Sequence, residues 1–262
     1  MGRSKNEKQI EGQQVLGFCL EPQNYVVQSK ELIGGKQALK INSAKLVRSA
    51  IMQIKYEDKE LKPYFVTIPQ LAKLFGISES NLYRDIDDIT NDILQNPVQI
   101  KKVIDGKNKF LKLPWVSYCA YDEEVGVMIK LNNDLKPYLL GLREHYTQYQ
   151  LDTALTMKSV YAIRMFEILY SKVNSTVLPK EGTYIELSLT EIREGCDCES
   201  ETYDKISNLR NRVIDVALKE INEKTLYNVS YTKEVDGKQK PNYIKNGATV
   251  VGIIFHINMC YH

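Results

Sequence analysis

No stretch of the 262-residue chain comes near the ~20 consecutive apolar residues that a membrane-crossing helix needs, so no span is expected. The N-terminus, Met1 to Glu11, is polar and charged and lacks the apolar run of a secretory leader, which sets the expectation of a cytoplasmic protein. Cysteine is sparse: Cys19, Cys119, Cys196, Cys198 and Cys260 are odd in number and scattered, which argues against a disulfide framework. Cys196 and Cys198 could be combined with Cys260 and His262 as metal ligands. Only Asp197 separates the pair, however, and zinc sites space their cysteines further apart. Reduced thiols in a turn are expected, with no metal and no cofactor. Gly34-Gly35-Lys36 is followed by Gln37 and lacks the spaced glycine of a phosphate loop, so a nucleotide-driven motor is not expected. Net charge is also low, at +2; what counts is where the charges sit.

What is present is ordinary globular material, 43% hydrophobic and 26% charged, in a length that suits one large domain or two ordinary ones. Residues 1–23 have no lasting periodicity and are expected to form a loose arm. Asn42 and Ser43 are candidate caps for a helix to about Ile54, and Tyr64 to Ile68 suits a short strand. Thr67 then caps a short helix that ends at Gly76. Ser78 caps a longer one to about Gln95, with an apolar stripe of Leu82, Tyr83, Ile86, Ile89 and Ile93. A short helix, a glycine turn and a longer amphipathic helix make a helix-turn-helix. Strands are expected at Val98–Ile104, Phe110–Tyr121 and Val125–Leu131, the first two joined through the hairpin dipeptide Asp105-Gly106, and a helix at Asp134–Glu144.

The second half repeats this order. A helix spans Ser159 to Lys172 and a strand Thr183 to Leu187; Ser188 and Glu191 have capping-box spacing, and Gly195 ends the short helix they open. A long helix from about Glu201 to Glu223 follows, then β segments at Leu226–Val235 and Thr249–Asn258, with Asp236-Gly237 between. Tyr83, Ile86, Ile89, Ile93 and Leu94 align with Tyr203, Ile206, Leu209, Val213 and Ile214 at one offset of 120 residues. The expected fold is therefore α+β: two tandem winged-helix domains related by internal duplication. They are placed at 24–146 and 147–262 and joined near Tyr146 to Leu151.

A helix reads DNA by offering polar side chains to the major groove while its other face packs on its own domain. At 100° per residue, Tyr203, Ile206, Val213, Ala217 and Ile221 share one face of the second long helix. The opposite face holds Glu201, Asp204, Lys205, Asn208, Asn211, Arg212, Asp215 and Lys219, with Ser200 just ahead. Lys205, Asn208 and Arg212 suit base edges or phosphates, and Arg210, beside the apolar stripe, suits a phosphate or the fold itself. The equivalent first-half helix presents Asp85, Asp87, Asp88 and Asp92 with only Arg84 basic, a poor match for phosphates. The hairpins add Lys101, Lys102, Lys107, Lys109 and Lys112 in the first half and Lys233, Lys238, Lys240 and Lys245 in the second, the residue type that grips the DNA backbone. Solubility and edge protection are the plain alternative for such lysines.

Three stretches resemble the initiator proteins of theta-replicating, iteron-carrying plasmids: Tyr25–Ile33 with the helix that follows it, Lys158–Leu169, and Arg212–Asn222. The resemblance implies that the second domain reads a directly repeated origin sequence through the helix Glu201–Glu223. It implies that the first domain supports dimer formation and adds DNA contacts. Monomers would open the origin and recruit the host initiator and helicase, and dimers would repress the initiator's own gene. No catalytic site is expected. A rolling-circle nicking enzyme needs a His-hydrophobe-His metal pair, which His145, His256 and His262 do not form, and seventeen tyrosines make no single one informative. A winged-helix transcriptional regulator without a replication role stays open.

Overall fold

The structure, a computed structural model, describes residues 24–122, 126–173 and 178–259. The expected arm at residues 1–23, Cys260 and His262 fall outside the described residues. Strand β1 (Tyr25–Ser29) ends at Ser29, whose hydroxyl accepts the Leu32 amide at 3.1 Å and so opens the short helix α1 (Lys30–Gly34). Helix α2 (Ile41–Met52) begins after Lys40 rather than at the expected caps Asn42 and Ser43. Lys40 has no capping side chain. The Asp92 carboxylate accepts its amide at 2.9 Å, and the buried Ser43 hydroxyl donates to the Ile89 carbonyl.

The expected helix-turn-helix is present nearly residue for residue. After β2 (Pro63–Thr67), Thr67 and Gln70 form a full capping box at the start of α3 (Ile68–Phe75). Gly76, in the left-handed region at φ 69°, ends it, and Ser78 caps α4 (Glu79–Gln95). Leu82, Ile86, Ile89 and Ile93 are buried, but Tyr83, expected on the same stripe, is 45% exposed. It lies about one residue's turn off the 82–86–89–93 stripe. Asp92, expected outward, is buried. Besides the Lys40 amide, it accepts the Asn96 amide at 2.9 Å, which offsets its desolvation.

Strands β3 (Val98–Ile104) and β4 (Lys107–Leu113) form a hairpin on Asp105 and Gly106, both at positive φ. The strand expected to continue to Tyr121 breaks at Pro114-Trp115 and resumes as β5 (Val116–Asp122), followed by β6 (Gly126–Leu131). The sheet order is β2-β6-β5, all antiparallel, with β3–β4 set apart as its own ribbon. The helix expected at Asp134–Glu144 shrinks to a 3-10 turn (Asn133–Leu135) and α5 (Lys136–Leu139). Pro137 suits only a first turn, and Gly141 sits at φ 60° just beyond the end.

The segment expected to join the halves is itself a strand. β7 (Tyr146–Gln150) pairs antiparallel with β1, Tyr25 opposite Gln150. Helices α6 (Leu151–Leu155) and α7 (Val160–Ser171) follow, then β8 (Thr183–Ser188) and α8 (Leu189–Gly195), the last opened by the Ser188/Glu191 capping box. The helix expected from Glu201 to Glu223 is not continuous. A 3-10 turn (Glu201–Tyr203) is followed by extended backbone at Lys205. The helix then starts as α9 (Ile206–Leu209), passes a π turn (Arg210–Ile214) and runs on as α10 (Asp215–Lys224). The two expected β segments are five strands: β9 (Tyr227–Ser230), β10 (Thr232–Val235), β11 (Lys238–Pro241), β12 (Tyr243–Asn246) and β13 (Thr249–Met259). β13 is long enough to hold β8 on one edge and both β12 and β9 on the other, so the β10–β11 hairpin stands out between them.

The second sheet, β8-β13-β12, repeats the order β2-β6-β5 of the first. Each first strand runs through a capping box into the short helix of a helix-turn-helix, α3 in one half and α8 in the other. The α+β fold is thus two winged helices, and a single apolar core of buried residues runs through both.

Candidate nucleic-acid interface

The helix from Ile206 to Lys224 buries Leu209, Val213, Ile214, Ala217, Leu218 and Ile221. The π turn takes one extra residue per turn, and Asn211 and Arg212 point outward from it. Lys205, Asn211, Arg212 and Lys219 are exposed, as are Ser200, Glu201 and Asp204 in the lead-in. Asn208 departs from its expected role. It is half-buried, and its amide nitrogen donates to the Thr202 carbonyl at 2.8 Å, tying the 3-10 turn to the helix. Arg193 clamps the same lead-in by donating to the carbonyls of Tyr203 and Asp204.

Arg210 joins helix to wing. Its Nε donates to Asn211 at 3.0 Å and lies 3.9 Å from Asp215, while a hydrogen bond with Tyr243 of β12 raises its pKa above the ordinary guanidinium value. Tyr231, between β9 and β10, donates to Asp215 at 2.7 Å. The strands around the projecting hairpin are therefore pinned beside the turn that presents Arg212.

The two ribbons are copies of one device. Lys102-Val103-Ile104-Asp105-Gly106-Lys107-Asn108-Lys109 and Lys233-Glu234-Val235-Asp236-Gly237-Lys238-Gln239-Lys240 follow one pattern, and both turn on Asp-Gly with positive φ at both residues. The registers match too: Lys102 lies opposite Lys109, and Lys233 opposite Lys240. Like charges placed directly opposite are unfavourable in a free ribbon. Lys107, Lys109, Lys233, Lys238 and Lys245 are exposed, and none has a carboxylate partner among the described residues. Lys240 lies 3.7 Å from Asp236 and Lys219 4.0 Å from Glu223, loose surface pairs. Lys102 is engaged by Glu31 at 3.6 Å and lies over the Tyr138 ring, Lys101 binds Glu194 of α8, and Lys112 lies over the Phe110 ring.

Family models match both halves. Residues 25–170 fit the model described as initiator replication protein, WH1, and residues 188–257 fit initiator Rep protein, WH2. The chain belongs to the initiator replication protein family. The fold of this initiator is similar to the crystal structure of Pi initiator protein in complex with iteron DNA. That match has a TM-score of 0.70 at 15% identity, covering 91% of this chain and 98% of that one. An uncharacterized 27.6 kDa protein of Escherichia coli is 22% identical over 227 residues, 81% of the initiator and 91% of the relative.

In the initiator's first winged helix, the helix α4 that corresponds to the second domain's outward-facing one is acidic. Asp87 and Asp88 are exposed, and Arg84 is taken up by Asp85 at 2.8 Å. Cys196 and Cys198 are buried. The Cys198 thiol donates to the Cys196 carbonyl at 3.2 Å, and burial pushes both thiols up, to about 12 and about 11. No helix among the described residues is long and apolar enough to cross a membrane.

Proposed function

We propose that this initiator starts plasmid replication by binding directly repeated double-stranded DNA at an origin. The observation that carries the reading is the pair of matched hairpins. Each holds two facing lysines and a third at its tip, a concentration of positive charge that a run of phosphates would neutralise. The helix around Arg212 supplies base contact: Arg212 and Lys205 can reach guanine or phosphate and Asn211 can reach adenine. Ser200, Glu201 and Asp204 line the entry to the groove. Asn208, Arg210, Lys219, Lys240 and Lys245 hold or flank that surface. In the first domain Lys107 and Lys109 are the auxiliary phosphate contacts, with Lys101, Lys102 and Arg84 as neighbours already paired to carboxylates. The first domain (24–146) serves self-association and auxiliary DNA contact; the second (147–262) serves reading. A dimer would repress the initiator's own gene, and the DNA-bound monomer would recruit the host initiator and helicase.

The likeness to Pi initiator protein, whose crystal structure contains iteron DNA, supports this reading. The test is binding to repeats adjacent to the gene at several salt concentrations. Among the described residues of the proposed interface, Lys107, Lys109, Lys205, Arg212, Lys233, Lys238 and Lys245 have no carboxylate partner. If all engage phosphates, log K falls against log salt with a slope of about −6. A slope near zero rejects the reading. Maintenance of a plasmid that carries only this gene and its repeats separates an initiator from a plain regulator, which would bind but not replicate.

A further inference from the structure

Arg164 on α7 is 1% exposed, and its guanidinium is shared among three parts of the chain. Nε donates to the Gly195 carbonyl at 2.9 Å, at the end of α8, from which Cys196–Ser200 lead into the 3-10 turn that precedes the reading helix. Nη2 donates to the carbonyls of Ile33 at 2.5 Å and Gly35 at 3.0 Å, at the end of α1. One residue later, Lys36 and Gln99 exchange backbone hydrogen bonds of 2.9 Å each and attach β3, the first strand of the first hairpin. Nη1 donates to Glu167 at 2.7 Å.

Glu167 is fully buried and anchors this arginine. It also accepts from Arg48 of α2 at 2.9 and 3.1 Å, Tyr149 of β7 at 2.5 Å and Gln28 of β1 at 3.2 Å. The two glycines whose carbonyls Arg164 binds are themselves closely packed. A Cβ on Gly35 would stand 3.0 Å from the Gln99 carbonyl, and one on Gly195 would stand 2.3 Å from Ile168. Lys36 with Asp197 and Glu199, and Lys101 with Glu194, bridge the same seam at the surface.

Glu167 is shared with Arg48, so the three carbonyls complete the compensation of the buried Arg164 guanidinium. Because they lie on both sides of the seam, they also set a distance. We infer that Arg164 is a positioning residue that fixes the first hairpin relative to the reading helix, so that both hairpins grip one duplex. The inference rests on the DNA-binding reading above. Lysine keeps the charge but not the planar fork, so it cannot hold three carbonyls and a carboxylate at once.

The test is a cycle on the full chain with a random-sequence duplex of ~30 bp, about three helical turns, measuring the salt slope of binding. Lys107→Gln with Lys109→Gln should flatten the slope by about 2. Arg164→Lys, folded by circular dichroism, should flatten it by the same amount, and the combination of all three should lose no more. A wild-type slope in Arg164→Lys, or losses that add, would overturn the inference. Should Arg164→Lys not fold, Arg164→Met leaves Arg48 and Glu167 as a matched pair and takes its place in the same cycle, with the same outcomes. A wild-type chain whose binding ignores salt would instead sink the DNA-binding reading itself.

Discussion

Glu167→Gln removes the only negative charge from a cluster holding Arg48 and Arg164, all three essentially inaccessible to solvent. Burial alone would raise the Glu167 carboxyl; the two guanidiniums, with hydrogen bonds from Arg48 and Tyr149, override it and hold it down at about 2. A carboxyl lowered from an ordinary 4.5 to about 2 contributes roughly 3 kcal/mol to folding. Leaving two buried cations without a counter-charge costs about 3–5 kcal/mol by general experience with such pairs. The two figures agree, and for a chain of this size roughly 3 kcal/mol lowers the melting temperature by about 6–12 °C. Because the native pKa is depressed, the contribution is complete above the unfolded carboxyl's pKa and is lost as pH falls toward 2. The gap between wild type and variant should therefore close between pH 5 and pH 2. Trp115, the single tryptophan, is buried with the Arg48 guanidinium 5.9 Å from its ring centre, so its emission during urea unfolding reads this region directly. A loss below about 1 kcal/mol at pH 7, or a gap that does not change with pH, would refute the assigned role of the cluster.

Two neighbouring aspartates should behave oppositely. Asp92→Ala strips the Lys40 amide and Asn96 of their acceptor and should destabilise the fold by about 1–3 kcal/mol. Asp88→Ala should stay within about 0.5 kcal/mol and leave DNA affinity unchanged; equal effects on thermal melting would show that α4 is turned the other way. Lys233→Thr relieves the facing Lys240 and should leave stability the same or up to about 1 kcal/mol higher. It should also flatten the salt slope of DNA binding by about 0.9, and an unchanged slope would remove Lys233 from the interface.

Much of this was legible because it is locally encoded. Thr67 with Gln70, Ser78, and Ser188 with Glu191 announce their helices, and the two Asp-Gly dipeptides announce the ribbons. The break at Asp204-Lys205 was not legible: no glycine or proline marks it, and it is fixed by Asn208 and Arg193 binding backbone carbonyls. The inward turn of Asp92 depends on an amide 52 residues away, and the pairing of β1 with β7 joins strands more than a hundred residues apart. Arg164 and Glu167, three residues apart on a helix, carry the signature of an ordinary surface pair, and only the tertiary fold buries them. The hairpin repeat was available but hidden. The helices align at an offset of 120 residues and the ribbons at 131, so one offset could not reveal both.

The most direct test of the central claim is Arg212→Ala, assayed on the repeats beside the gene and on random duplex at the same salt concentration. Arg212 is exposed and has no carboxylate partner among the described residues, so the substitution leaves the fold alone. As a base reader it should cost about 1–3 kcal/mol on the repeats and clearly less on random DNA. Equal losses on both would reduce Arg212 to a phosphate contact, and no loss on either would contradict the placing of this helix in the groove.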